Sequence, residues 1–171
     1  MSRMIPRWFQ SLVFLAILLT SISQATEPWV LRENGIGPVK IGLTSSQLRM
    51  VLGEKLSETD SGSESCYYLL SHKHPHISFM MIDDRLARID VDSATVLTST
   101  GIRVGDTEER VQKVYGSALK TEPHKYIDDG HYLTVSSKNG GFGIRFETEK
   151  GKITMFYAGK FDAIQYVEGC L

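Results

Sequence analysis

The sequence is poor in what most chemistries need. It has two cysteines in 171 residues, Cys66 and Cys170, and neither a polybasic run nor an acidic tail. Its 19 Lys and Arg nearly balance its 20 Asp and Glu, for a net charge of −1. Nucleic acid and anionic membranes both call for a concentrated positive field, so neither is an expected partner. The one long apolar run, Ser11 to Ile22, is too short to span a bilayer as a stable helix. No Ser, Thr or Cys stands in a nucleophile-elbow setting, and no Lys-Ser or Lys-Thr follows the glycines at Gly140, Gly141 and Gly143 as a phosphate loop requires. The expectation is a chain that is not an enzyme and needs no cofactor.

What is present at the N-terminus reads as an export signal. Arg3 and Arg7 precede the apolar run, and Ser23-Gln24-Ala25 offers small residues where a signal peptidase looks for them, so cleavage is expected after Ala25. Residues 1–25 are then a signal peptide and the chain is periplasmic or secreted, with no membrane insertion after cleavage. The remaining residues, about 145, suit one compact unit. In an oxidising compartment two otherwise unpaired thiols read most simply as a Cys66–Cys170 disulfide. The alternatives are a catalytic thiol or a metal ligand, but Cys170 is penultimate and Cys66 has no His partner nearby in sequence.

The chain also repeats itself. VKIGLTSSQLRMVLG from Val39 and IRVGDTEERVQKVYG from Ile102 share an apolar residue, a Gly, a Thr two residues on, an amphipathic stretch and a closing Gly. Gly42 matches Gly105 and Gly53 matches Gly116, both 63 residues apart (105 − 42 and 116 − 53). Thr44 and Thr107 are expected N-caps, and Gly53 and Gly116 end helices of about three turns. Each copy should open with a short strand before its helix. Strands are then expected at Cys66 to Leu70, Ile77 to Ile82, Leu86 to Val91, Tyr132 to Ser136, Phe142 to Glu147 and Ile153 to Tyr157, with turns at Asp83-Asp84, Lys138 to Gly141 and Lys150-Gly151. Ile77, Phe79 and Leu86 match Ile144, Phe146 and Ile153 at a separation of 67 residues (144 − 77), so four residues are inserted between helix and hairpin. Trp29 to Leu31 should add a leading strand and Ile164 to Val167 a closing one. The expected fold is α+β, with two tandem repeats, residues 26–100 and 101–171, whose helices pack on one face of an antiparallel sheet.

This succession, in Val39 to Gly53 with the hairpin Ile77 to Val91 and again in Ile102 to Gly116 with Ile144 to Tyr157, resembles the helix-plus-sheet unit of the beta-lactamase inhibitor proteins. It is also similar to the single unit of the outer-membrane assembly lipoproteins of the SmpA/OmlA type and to uncharacterised exported bacterial proteins. The resemblance implies a scaffold whose exposed sheet face binds another protein. No Cys follows the apolar run to take a lipid, as those lipoproteins have.

Three clusters are candidates for chemistry. Arg88, Asp90 and Asp92 project from one side of a strand and form a polar contact patch or an ordinary solvated face. His124 and Tyr126, with Asp128, Asp129 and His131 nearby, are either loop contacts or the start of a general-base arrangement that lacks its nucleophile. His72, His74 and His76 alternate on an extended segment and are the candidate zinc or copper ligands, or a solvated loop led by Pro75 into a strand. The leading expectation is a non-enzymatic module that binds an envelope or extracellular protein through Arg88, Asp90, Asp92, His124 and Tyr126. The alternative is a small-ligand or transition-metal binder using the His-rich loop.

Overall fold

The computed structural model describes residues 29–59 and 63–170, so the expected signal peptide lies outside the described residues. The strands and helices in chain order are β1 (Val30–Arg32), β2 (Gly35–Ile36), β3 (Val39–Lys40), α1 (Ser45–Leu52), β4 (Ser57–Glu58), β5 (Cys66–Leu70), β6 (Ile77–Ile82), β7 (Arg85–Val91), β8 (Leu97–Thr98), α2 (Glu108–Tyr115), β9 (Leu119–Pro123), β10 (His131–Ser136), β11 (Phe142–Glu149) and β12 (Lys152–Lys160). The fold is α+β. Among the described residues no helix is long and apolar enough to cross a membrane.

Duplication is explicit in the topology. Each copy is a helix followed by a four-stranded antiparallel meander, and the eight strands lie in the order β4-β5-β6-β7-β12-β11-β10-β9. The copies therefore meet through their equivalent last strands, β7 and β12, with Ala158 opposite Ile89. Joining two like units by the same strand leaves their first strands, β4 and β9, at the outer edges. The repeat holds down to single hydrogen bonds. Gly42 N–H donates to Leu86 O at 2.8 Å, and its counterpart Gly105 N–H donates to Ile153 O at 2.9 Å. Gly42 and Gly105 have φ of 94° and 89°, a conformation open to Gly and costly for other residues, which is why the G-x-T turn carries Gly in both copies.

The helices start as their caps predict. Thr44 accepts from Gln47 N–H while the Gln47 side chain accepts from Thr44 N–H, a complete capping box. Thr107 accepts from Arg110 N–H. Both helices are eight residues, little more than two turns rather than three. Leu48 and Val111 are the fully buried residue of each, while Val51 and Val114, one turn on, stay exposed.

The core lies between the helices and one face of the large sheet. Cross-strand rows run through it: Leu69, Phe79, Ile89, Ala158, Ile144 and Val135 form one, and Ile77, Val91, Phe156, Phe146 and Leu133 the next. A second sheet, in the order β3-β2-β1-β8, holds the leading strand, with β1 and β8 parallel. Two expectations are corrected. Ile102 to Val104 is no strand; Ile102 is buried and accepts from Thr98 N–H as part of a turn. Ile164 to Val167 is no strand either. Residues Ala163–Gln165 form a short 3-10 helix capped by Asp162, whose side chain accepts from Ala163 N–H.

Candidate functional site

The second face of the large sheet carries the polar side chains that alternate with the core. Leu70, Ser78, Asp90, Tyr157, Arg145, Thr134 and Lys120 stand in one row across it, and Met80, Arg88, Gly159 and Gly143 in the next. The C-terminal strap, residues 161–170, lies over the second row and is tied to β5 by the Cys66–Cys170 disulfide. Glycines make room for it. A Cβ on Gly143 would stand 2.7 Å from Ile164 Cδ1, and one on Gly169 would meet Tyr68 Oη at 2.7 Å. Gly159 serves the sheet itself, since a Cβ there would lie 2.1 Å from Ala87 O, at the bulge where β7 slips register against β6.

Arg88 organises this face. Its Nε and Nη2 bind the two Asp90 carboxylate oxygens at 2.8 Å each, Nη2 also donates to Tyr68 Oη, and Nη1 donates to the carbonyls of Ala163 and Tyr166 in the strap. All five guanidinium donors are thus used. The ring of Tyr157 lies under Arg88 at 4.3 Å. Tyr68 in turn donates to Asp90 Oδ2 at 3.0 Å. Arg88 is 4% exposed and Asp90 8%, so the patch expected to face solvent is enclosed. Burial works against the Arg88 charge, yet the Asp90 carboxylate outweighs it and raises the guanidinium above its usual value. Burial pushes the Asp90 carboxyl up, with Arg88 opposing. It also pushes the Tyr68 and Tyr157 phenols well above 10, reinforced by the neighbouring Asp90 and Glu147 carboxylates.

A second knot continues from Tyr157, whose hydroxyl donates to Glu147 Oε1 at 2.9 Å. Glu147 Oε2 lies 3.3 Å from His124 Nε2, and His124 Nδ1 accepts from Tyr126 N–H, so the neutral ring carries its proton on Nε2. His124 stacks on Tyr132 at 4.3 Å, and the Arg145 guanidinium lies 5.1 Å from the centre of the same Tyr132 ring. Arg145 also donates to Thr134 Oγ1 and to the Gln165 side chain in the strap. No buried side-chain N or O among the described residues is left without a partner.

The sequence candidates are thereby sorted. Arg88, Asp90 and His124 belong to this one buried network. Asp92 sits at its rim, 64% exposed, with Oδ1 bonded to His76 Nδ1 at 2.9 Å. Tyr126 is exposed on the loop, under Lys125, whose ammonium reaches Glu168 of the strap at 3.5 Å. His131 turns away and pairs with Glu108 at the start of α2 at 3.0 Å. The three loop imidazoles diverge because the chain turns at Pro75: His72 bonds Ser57 Oγ at 2.9 Å, His74 stacks on Trp29 at 3.7 Å, and His76 goes to Asp92. Among the described residues no group of three or more His, Cys, Asp or Glu is placed to hold a metal ion. Tyr68, Arg145, Glu147 and Tyr157 were absent from the sequence candidates. Their signal is the complement of the core stripe, since residues alternating with Ile144, Phe146 and Phe156 must face the other side.

Beyond the strap the face opens into a hollow of about 270 Å3, walled by Tyr68, Leu70, His76, Ser78, Asp92 and Met155. Asp90 closes its inner end.

No protein-family model matches this chain, and no curated protein is similar to it in sequence. Among solved structures, the uncharacterized protein yfeY from Escherichia coli shares the fold, at a TM-score of 0.50 and 11% identity over 77% of this chain and 99% of that one. An extracellular protein containing an SCP domain, from Bacillus anthracis, aligns at a TM-score of 0.49 and 11% identity over 73% of this chain and 45% of its own. Neither is named as a beta-lactamase inhibitor or an assembly lipoprotein, and the likeness to yfeY is one of fold alone.

Proposed function

We propose that this chain is an exported, non-enzymatic binding module that engages an envelope or extracellular protein through the sheet face opposite its helices. The observation that supports it most is how firmly that face is held. Arg88 spends every donor on the sheet and the strap, and the strap is pinned at its end by Cys66–Cys170. A surface fixed beforehand gives up little conformational entropy on binding, which suits recognition of another protein. The disulfide suits an oxidising compartment and agrees with the export signal read from residues 1–25. The resemblance to inhibitor and assembly units leaves both roles open.

The non-enzymatic reading draws on His124. Both of its ring nitrogens are engaged and its side chain is 5% exposed, so the His–carboxylate pair acts as a strut under the loop. The metal alternative gains nothing from His72, His74 and His76, whose rings have separate partners.

The test is capture of a partner by the tagged, exported protein in its native envelope. Leu70 is 37% exposed beside the hollow and Met50 is 80% exposed on α1, so both tolerate a charge without loss of fold. Leu70→Lys should reduce the captured partner at least tenfold, while Met50→Lys leaves it unchanged. Equal capture by both variants contradicts the assignment of the face.

A further inference from the structure

The hollow beside the strap has a chemistry of its own. Arg88, bonded to Asp90 at its inner end, has no donor left for a ligand, and among the described residues no Lys or Arg lines the walls. The carboxylates of Asp90 and Asp92 line it, and the His76 ring on the same wall is already bonded to Asp92 through Nδ1. At the rim, Asp92 gives Oδ1 to His76 and keeps Oδ2 without a partner among the described residues. The Ser78 hydroxyl, on the wall, is likewise unbonded among the described residues. Leu70 and Met155 supply apolar flanks between these polar points.

Building on the binding face proposed above, we infer that the hollow receives a primary ammonium on an aliphatic stem, the side chain of a lysine presented by the partner protein. The stem packs on Leu70 and Met155, and the ammonium donates to Asp92 Oδ2 and Ser78 Oγ. Lysine fits better than arginine. A guanidinium gains most from a carboxylate that offers both oxygens to its planar fork, and at Asp92 one oxygen is already taken by His76. An ammonium is a point charge with three free donors, so a single carboxylate oxygen and a hydroxyl satisfy it.

The test is a titration of the oxidised, full mature protein followed by amide chemical shifts. The probes are the N-acetyl methylamides of lysine, arginine, norleucine and glutamate, with cadaverine as a free diamine. The lysine probe should move the amides of Leu70, Ser78, Asp92 and Met155 and bind at least fivefold more tightly than the norleucine, arginine and glutamate probes. Asp92→Asn, an exposed substitution that the fold tolerates, should weaken the lysine probe at least fivefold. The inference is overturned if the glutamate or norleucine probe binds as tightly, if the shifts fall elsewhere, or if Asp92→Asn changes nothing. Cadaverine binding tenfold more tightly than the lysine probe overturns the assignment to a protein side chain. The two readings fail separately. Loss of capture by Leu70→Lys with no preference among probes removes the ammonium alone, whereas a lysine preference with capture unaffected by Leu70→Lys removes the protein-binding face alone.

Discussion

At the scale of single residues, Arg88 shows how the same letters support two readings. Arg and Asp at alternate positions look like a solvated strand face, and nothing within ten residues says otherwise. What buries them is the strap, about 75 residues further on in sequence. The structure makes the pair costly to break on one side. Arg88→Met leaves Asp90 and Tyr68 buried without their donor, so urea unfolding should show a loss of about 3–5 kcal/mol. The double variant Arg88→Met, Asp90→Leu should recover much of it, because no buried charge is then left unpaired. Tyrosine gives the matching pH dependence. Tyr68 and Tyr157 hold their protons above the unfolded value of 10.0, so the unfolded chain releases them first and stability falls as pH rises past about 10. Urea midpoints should hold level below about pH 9 and drop progressively from about pH 10 upward, and the combined change of Tyr68 and Tyr157 to Phe should flatten that slope.

At the scale of elements, local chemistry made the repeat legible and tertiary contact hid the rest. Caps, hairpin turns and the alternating core are written in neighbouring residues, so α1, α2 and the strands β5 to β7 and β10 to β12 fall close to where the sequence puts them. The edge strands β4 and β9 lack an apolar pattern because one side of each meets solvent; Ser57–Glu58 is exposed throughout. The strap defeated the strand reading for a different reason. Ile164 and Val167 suggest a strand, but Arg88 needs the carbonyls of Ala163 and Tyr166 turned to one point, which a 3-10 turn provides. In the His-rich loop alternation would align side chains only while the chain stays extended, and Pro75, which leads the loop into β6, sits in a turn. Two substitutions test these elements. Thr44→Ala removes a capping box and should cost about 1 kcal/mol. Gly143→Ala puts a methyl 2.7 Å from Ile164 Cδ1 and 2.8 Å from Val135 O, so it should cost about 1–3 kcal/mol and speed amide exchange in residues 161–168 more than in β6.

At the scale of the whole molecule, duplication built a scaffold and the C-terminus closed it. Two meanders joined at β7 and β12 bury one face under the helices, while the other would remain an open polar sheet without the strap. The disulfide spans 104 residues and fixes that closure. Replacing Cys66 and Cys170 by Ala should lower stability by roughly 2–5 kcal/mol, read from urea unfolding with midpoint and slope fitted separately, because the unfolded chain without the crosslink exposes more surface. The hollow is what the strap leaves uncovered, and the central claim is that a protein partner meets the chain there. The most direct measurement places a photo-crosslinking amino acid at His76, on the exposed rim of the hollow, or at Met50, on the helix side, and irradiates the native envelope. A discrete heavier adduct from the His76 position that is missing from Met50 is the predicted result. Adducts from Met50 and none from the His76 position would contradict the account.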